Sequence, residues 1–132
     1  MDNSIVFLFN VVVLSIVVNI GLSLYGVFTR PSLIKKIITL TIFSDSVNIL
    51  AILIGFRYAS PNPLPPILTV IPPSQKDIEV FVSTAVDPLP QALVLTAIVI
   101  GLAVTLFLIF TTIQIYRIYG TTDVRKIAKL RG

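Results

Sequence analysis

The sequence predicts an all-α membrane protein of three transmembrane helices. Its N-terminus is expected outside and its C-terminus in the cytoplasm, with a long proline-rich outer loop between the second and third helices. Three observations predict this. The apolar stretches Ile5–Phe28, Ile37–Phe56 and Ala92–Tyr116 each reach the roughly 20 residues that cross a ~30 Å hydrocarbon core. Hydrophobic residues make up 55% of the 132 and charged residues 12%, with a mean hydropathy of +0.99, whereas a soluble domain is about 25% charged. Lys and Arg are also divided unevenly. Arg30, Lys35 and Lys36 stand in the first loop without an acid, and Arg117, Arg125, Lys126, Lys129 and Arg131 stand in the tail against Asp123 alone. The second loop sets Arg57 and Lys76 among Asp77, Glu79 and Asp87. By the positive-inside rule the first loop and the tail are cytoplasmic. Residues 1–132 then form one membrane domain, with spans at 5–28, 37–56 and 92–116, an outer loop at 57–89 and a basic tail at 117–132.

The first span has no positive segment ahead of it, only Asp2, and no small-residue cleavage site, so it reads as a mature span rather than a signal peptide. Ser15, Asn19 and Ser23 recur at i, i+4 and i+8, with Gly26 close to the same face. Small and amide residues in a row mark a helix–helix seam more often than an ion path.

The second span carries Thr41, Ser44, Asp45 and Asn48 at i, i+3, i+4 and i+7, on one helix face. Asp45 falls near mid-span. An ionised carboxylate there costs at least about 2.5–3.5 kcal/mol, so it needs a cation, a wet cavity, a polar neighbour or a proton. Two readings stay open. Asp45 belongs to a proton or Na⁺ path with Ser44 and Asn48 ordering water, or it is an interhelical link while the hydroxyls bond back to their own helix. Lys35 and Lys36 are expected to snorkel to lipid headgroups.

Every proline except Pro31 falls between Pro61 and Pro90. That density favours extended, polyproline-like backbone over helix or sheet interior. Yet Leu64, Ile67, Leu68, Val70, Ile71, Val80, Phe81 and Val82 make the loop too apolar for a free linker. It either folds back over its own helices or, as favoured here, lies as a strap on neighbouring subunits.

The third span opens on Asp87-Pro-Leu-Pro-Gln91. Proline in a first helical turn loses no hydrogen bond, and Asp87 can accept from the free N–H groups there. Asp87, Pro88, Pro90 and Gln91 therefore read as a structural helix entrance. Farther along, Thr96, Gly101 and Thr105 are not ionisable, and Gly101 permits close helix approach.

The chain has no Cys, His or Trp. Disulfides, thiolate chemistry, Cys-ligated clusters and His acid–base work are excluded within it. It also has no nucleophile–base pair and no phosphate-cradling Gly loop, so it is not an enzyme by itself and holds no cofactor. The net charge of +4 sits beside the spans, where it reports topology and anionic lipid rather than nucleic acid.

Three stretches together resemble the C subunit of Mrp-type multisubunit Na⁺/H⁺ antiporters. They are Ser44-x-x-Val-Asn48, Asp87-Pro-Leu-Pro-Gln-Ala-Leu-Val-Leu-Thr-Ala-Ile-Val-Ile100 and Tyr119-Gly-Thr-Thr-Asp-Val124. The same subunit type occurs in archaeal membrane-bound hydrogenases and related ferredoxin-linked complexes, and it is similar to the small K subunit of respiratory complex I. The resemblance implies a non-redox plasma-membrane subunit beside a large antiporter-like subunit, on a polar axis that couples proton and sodium movement. Any iron–sulfur or nickel–iron chemistry would then belong to partner subunits. The complex I relative carries a membrane-embedded glutamate in each of two spans, and the matching positions here are Ser44 and Ala97. Asp45 lies one residue along, about a quarter turn from Ser44. The outer loop is longer and more hydrophobic than the antiporter branch suggests, which points to contacts within a larger assembly. The competing reading is a purely structural subunit with no ion contact. A small multidrug-type transporter is set aside, because such transporters carry an acid in the first of four spans.

Overall fold

The structure is a computed structural model that describes residues 3–56 and 63–129. Asp2, Arg57, Tyr58, Pro61 and Arg131 lie outside the described residues. The described elements are α1 (Asn3–Thr29), α2 (Leu33–Gly55), α3 (Gln75–Thr84), α4 (Pro88–Tyr119) and α5 (Val124–Ile127). Of these, α1, α2 and α4 are long and apolar enough to cross a membrane. The described residues form no strand, only the isolated bridges Ser32–Asp123 and Leu64–Ala85.

Pro31 disfavours helical backbone at Arg30 and so ends α1. The next helix begins at Leu33, four residues ahead of the expected Ile37, because Lys35 and Lys36 are good helix formers. Lys36 is not a headgroup-seeking cation as expected. Its ammonium donates to the Val27 carbonyl in the last turn of α1, where a cation offsets the negative end of the helix. The third span is likewise longer than expected, at 32 residues, or about 48 Å at 1.5 Å per residue. It stops at Gly120, whose φ of 68° is left-handed backbone that favours glycine.

The loop between the second and third spans also departs from expectation, because it is not extended throughout. Its proline-free part folds into α3, opened by a reciprocal cap. The Ser74 hydroxyl accepts from the Asp77 N–H at 3.3 Å, and the Asp77 carboxylate accepts from the Ser74 N–H at 2.9 Å. This Ser-x-x-acid pattern satisfies two otherwise free N–H groups. Among the described residues of this loop, the stretch 63–73 stays non-helical. Its apolar side chains remain uncovered, with Ile71 89% exposed.

The central helix is α2, which packs on α1 along one side and on α4 along another. Gly26 of α1 lies so close to α2 that a Cβ there would collide with the Thr39 methyl group. Phe9 stacks on Phe56 at 6.1 Å between ring centroids. Toward α4, a Cβ on Gly55 would come within 2.6 Å of the Pro90 ring. Backbone hydrogen bonds join both ends of α2 to distant segments. Leu33 N–H donates to Thr122 at 3.0 Å and Val124 N–H to Pro31 at 2.9 Å, while Asp87 N–H donates to Gly55 at 3.3 Å. Ile16, Val86 and Val94 are the buried apolar residues among those described. So small a core leaves most apolar surface for lipid or partner chains.

Candidate functional site

The polar face of α2 is brought opposite the small-residue face of α4. Thr41, Ser44, Asp45 and Asn48 line one side of a groove of about 690 Å³, and Ala97, Gly101 and Thr105 line the other. A Cβ built on Gly101 would lie 3.9 Å from the Ser44 hydroxyl, an ordinary contact, so the helix spacing here does not depend on glycine. Ser44 and Ala97 face the same space. The Thr41 hydroxyl donates to the Ile37 carbonyl at 3.0 Å. Ser44, Asp45 and Asn48 make no side-chain hydrogen bond to another described residue.

Asp45 is exposed, while Thr41, Ser44 and Asn48 are half-buried. The acid thus stands on the groove's outer rim, with hydroxyl and amide groups deeper in. Along α1, α2 and α4 the other charged residues are Lys35, Lys36 and Arg117, all at helix ends. A carboxylate at mid-span with no cation at its own depth is costly in hydrocarbon. That rim requires water, a proton or a neighbouring chain.

The row predicted along α1 divides. Ser23 and Gly26 are buried, and the Ser23 hydroxyl donates to the Ile20 carbonyl at 2.9 Å. Ser15 and Asn19 are exposed. At the opposite membrane boundary from Gly26, Asp87 caps α4 by accepting from Leu89 N–H at 2.9 Å, directly ahead of Pro88. Pro90 is half-buried near Gly55, and Gln91 is exposed.

Sequence reasoning missed Thr39, Ser46 and Gly55. Thr39 and Ser46 are seven residues apart and so share a face of α2, the face that meets Gly26. Ser46 is buried and donates to the Ile42 carbonyl at 2.7 Å. That seven-residue spacing was readable in the sequence, but it was overshadowed by the acid beside it.

A central helix, two flanking spans and an open polar groove define a small multi-pass membrane protein. Residues 11–132 match the family model described as NADH-ubiquinone/plastoquinone oxidoreductase chain 4L, and the chain belongs to that family. It is similar to the C1 subunit of a Na⁺/H⁺ antiporter of Staphylococcus aureus, with 31% identity over 107 residues, covering 81% of this chain and 82% of the relative. An uncharacterized protein of Methanocaldococcus jannaschii is 36% identical over 101 residues, covering 76% of this chain and 72% of its own. Among solved structures, a chain of the membrane-bound sulfane sulfur reductase, an archaeal respiratory membrane complex, matches with a TM-score of 0.69 and 36% identity. That match covers 92% of this chain and 97% of the other. The protein is thus a multi-pass membrane subunit of the family shared by Mrp-type antiporters and respiratory membrane complexes.

Proposed function

We propose that this chain supports proton and sodium translocation within a multisubunit complex of the plasma membrane, beside a large antiporter-like subunit. The observation that carries the reading is Asp45. It is an exposed acid at the middle of α2, on the rim of a groove that also holds Ser44 and Asn48. Intramembrane acids are functional by default, because their insertion cost must be offset by a role or a partner. Here the groove supplies hydroxyl and amide groups able to order water next to the carboxylate, and a neighbouring chain of the complex closes it. The basic end of the bundle faces the cytoplasm, so the N-terminus is outside. The apolar loop around Ile67 and Ile71 lies on other subunits, as its exposed side chains suggest. The chain has no Cys or His, so iron–sulfur or nickel–iron groups of a redox-driven parent complex are held elsewhere.

Replacing Asp45 tests the reading. Asp45→Asn in the assembled complex is expected to slow Na⁺-dependent proton movement in vesicles by about 100-fold or more, the scale on which a positioned proton-transfer group acts. Subunit yield should stay unchanged. Normal transport by a stably assembled Asn variant would falsify it and leave the purely structural reading in its place.

A further inference from the structure

A second groove lies between α2 and α4, toward the end that carries α5, and its chemistry differs from that of the Asp45 groove. It measures about 540 Å³ and is lined by Ile34, Ile38, Ile109, Ile113 and Tyr116, with Thr122 of the tail at its end. The hydroxyl of Thr112, also in its wall, donates to the Leu108 carbonyl at 2.8 Å. The groove therefore offers almost no hydrogen-bonding group to an occupant. The end of the bundle at which it lies is the reverse. Lys35 follows Ile34, Arg117 follows Tyr116, and Arg125 and Lys126 follow Thr122 by three and four residues. All four are exposed. Asp123, which accepts from the Arg125 N–H at 2.9 Å, offsets at most one of these charges.

We propose that this groove is a binding site for an anionic phospholipid, with one acyl chain between the isoleucines and the phosphate held by Lys35, Arg117, Arg125 and Lys126. Charge complementarity selects this occupant. A transmembrane helix of a partner would fill the apolar part equally well, but it would leave four cations unanswered unless it brought acids to the same depth. An anionic lipid supplies both chemistries in one molecule. Tyr116, at the boundary between them, suits the headgroup level. The geometry of the tail supports a built site. The antiparallel pairing of Pro31–Leu33 with Thr122–Val124 ties the start of α5 to the start of α2, so the α5 cations belong to the same end of the bundle as Lys35 and Arg117. This proposal is independent of the role given to Asp45.

The test uses the intact complex in vesicles containing a trace of phosphatidylglycerol with a photoactivatable acyl chain, and adducts are mapped by mass spectrometry. Adducts are expected on the segments 34–38 and 109–113. Phosphatidylcholine with the same chain should label them far less. The variant combining Lys35→Gln, Arg117→Gln, Arg125→Gln and Lys126→Gln should lose labelling, by about fivefold per cation removed. Ile38→Trp, which fills the groove and leaves the cations in place, should lose it as well. Equal labelling by the two lipids, or labelling that survives both variants, overturns the proposal. So does a partner helix cross-linked to Ile38 and Ile113 in place of lipid.

Discussion

The two seams that α2 makes are built to different standards. Against α1 the seam is closed. Gly26 lets the helices approach until Thr39 touches its backbone, Ser23 and Ser46 are buried, and each of these hydroxyls is satisfied by a carbonyl of its own helix. Against α4 the seam is tight where Gly55 meets Pro90, and elsewhere it opens into two grooves. Ser44, Asp45 and Asn48 find no side-chain partner among the described residues in one, while the other is apolar and lies at the end of the bundle that carries Lys35, Arg117, Arg125 and Lys126. Small residues with self-satisfied hydroxyls mark packing that the chain completes alone. Unsatisfied polar groups at the same depth mark packing that other molecules complete.

That contrast is most severely tested at Gly26. Gly26→Ala places a methyl group inside the contact distance of the Thr39 side chain, and overpacking of this kind costs about 1–3 kcal/mol. The variant should leave much less of the subunit in the purified complex and lower the melting temperature of what remains. Adding Thr39→Ala removes the colliding methyl and should restore much of the loss. If the double variant is no better than the single one, close approach at this seam is not what Gly26 provides. Gly101→Ala is the matched control. Its nearest neighbour, the Ser44 hydroxyl, is 3.9 Å away, so assembly should hardly change.

The closed seam and the open one were unequally legible in the sequence. Span number and the α4 entrance followed from hydropathy and from Asp87-Pro-Leu-Pro, because those signals are local. The face shared by Thr41, Ser44, Asp45 and Asn48 followed from helical periodicity. Periodicity could not say which helix each face would meet, so Ser15 and Asn19 were grouped with Ser23 although only Ser23 is buried. The same limit hid the contact of Thr39 with Gly26. Lys36 looked like a headgroup ligand because its acceptor, Val27, lies on another helix. In the loop between the second and third spans, proline density obscured the Ser74–Asp77 cap, which is itself a local signal.

A smaller effect sharpens the tight end of the α2–α4 seam. Asp87 both caps α4 and, through its N–H, ties the α4 entrance to the Gly55 carbonyl. Asp87→Ala keeps the backbone tie and loses the cap, which is worth about 1 kcal/mol. Faster amide exchange at Leu89, with ordinary assembly, is the expected result. Loss of assembly would mean that the carboxylate also serves a partner chain.

The smallest effect should come from Asp77, and its sign can be stated. The Ser74 hydroxyl, then the Ser74 backbone N–H, hold the Asp77 carboxyl below its ordinary range. In the unfolded segment the same group protonates at a higher pH. Between the two values the unfolded chain binds more protons, so helix stability rises with pH across that interval. The contribution of the cap is complete above the ordinary carboxylate range and is lost as pH falls through the lower, folded value. Helix α3 leads directly into Ala85 and Val86, where Val86 N–H donates to Leu64 at 3.1 Å. Acid should therefore loosen α3 and this bridge together. Amide exchange over 75–86, corrected for its intrinsic pH dependence, should quicken on acidification in the wild type. In Asp77→Asn the corrected rates should stay flat, because that side chain does not titrate. An acid-induced change of equal size in the Asn variant would place the titrating group elsewhere. The α1–α2 seam, where no titratable side chain meets Gly26 or Ser46, should not respond in either protein.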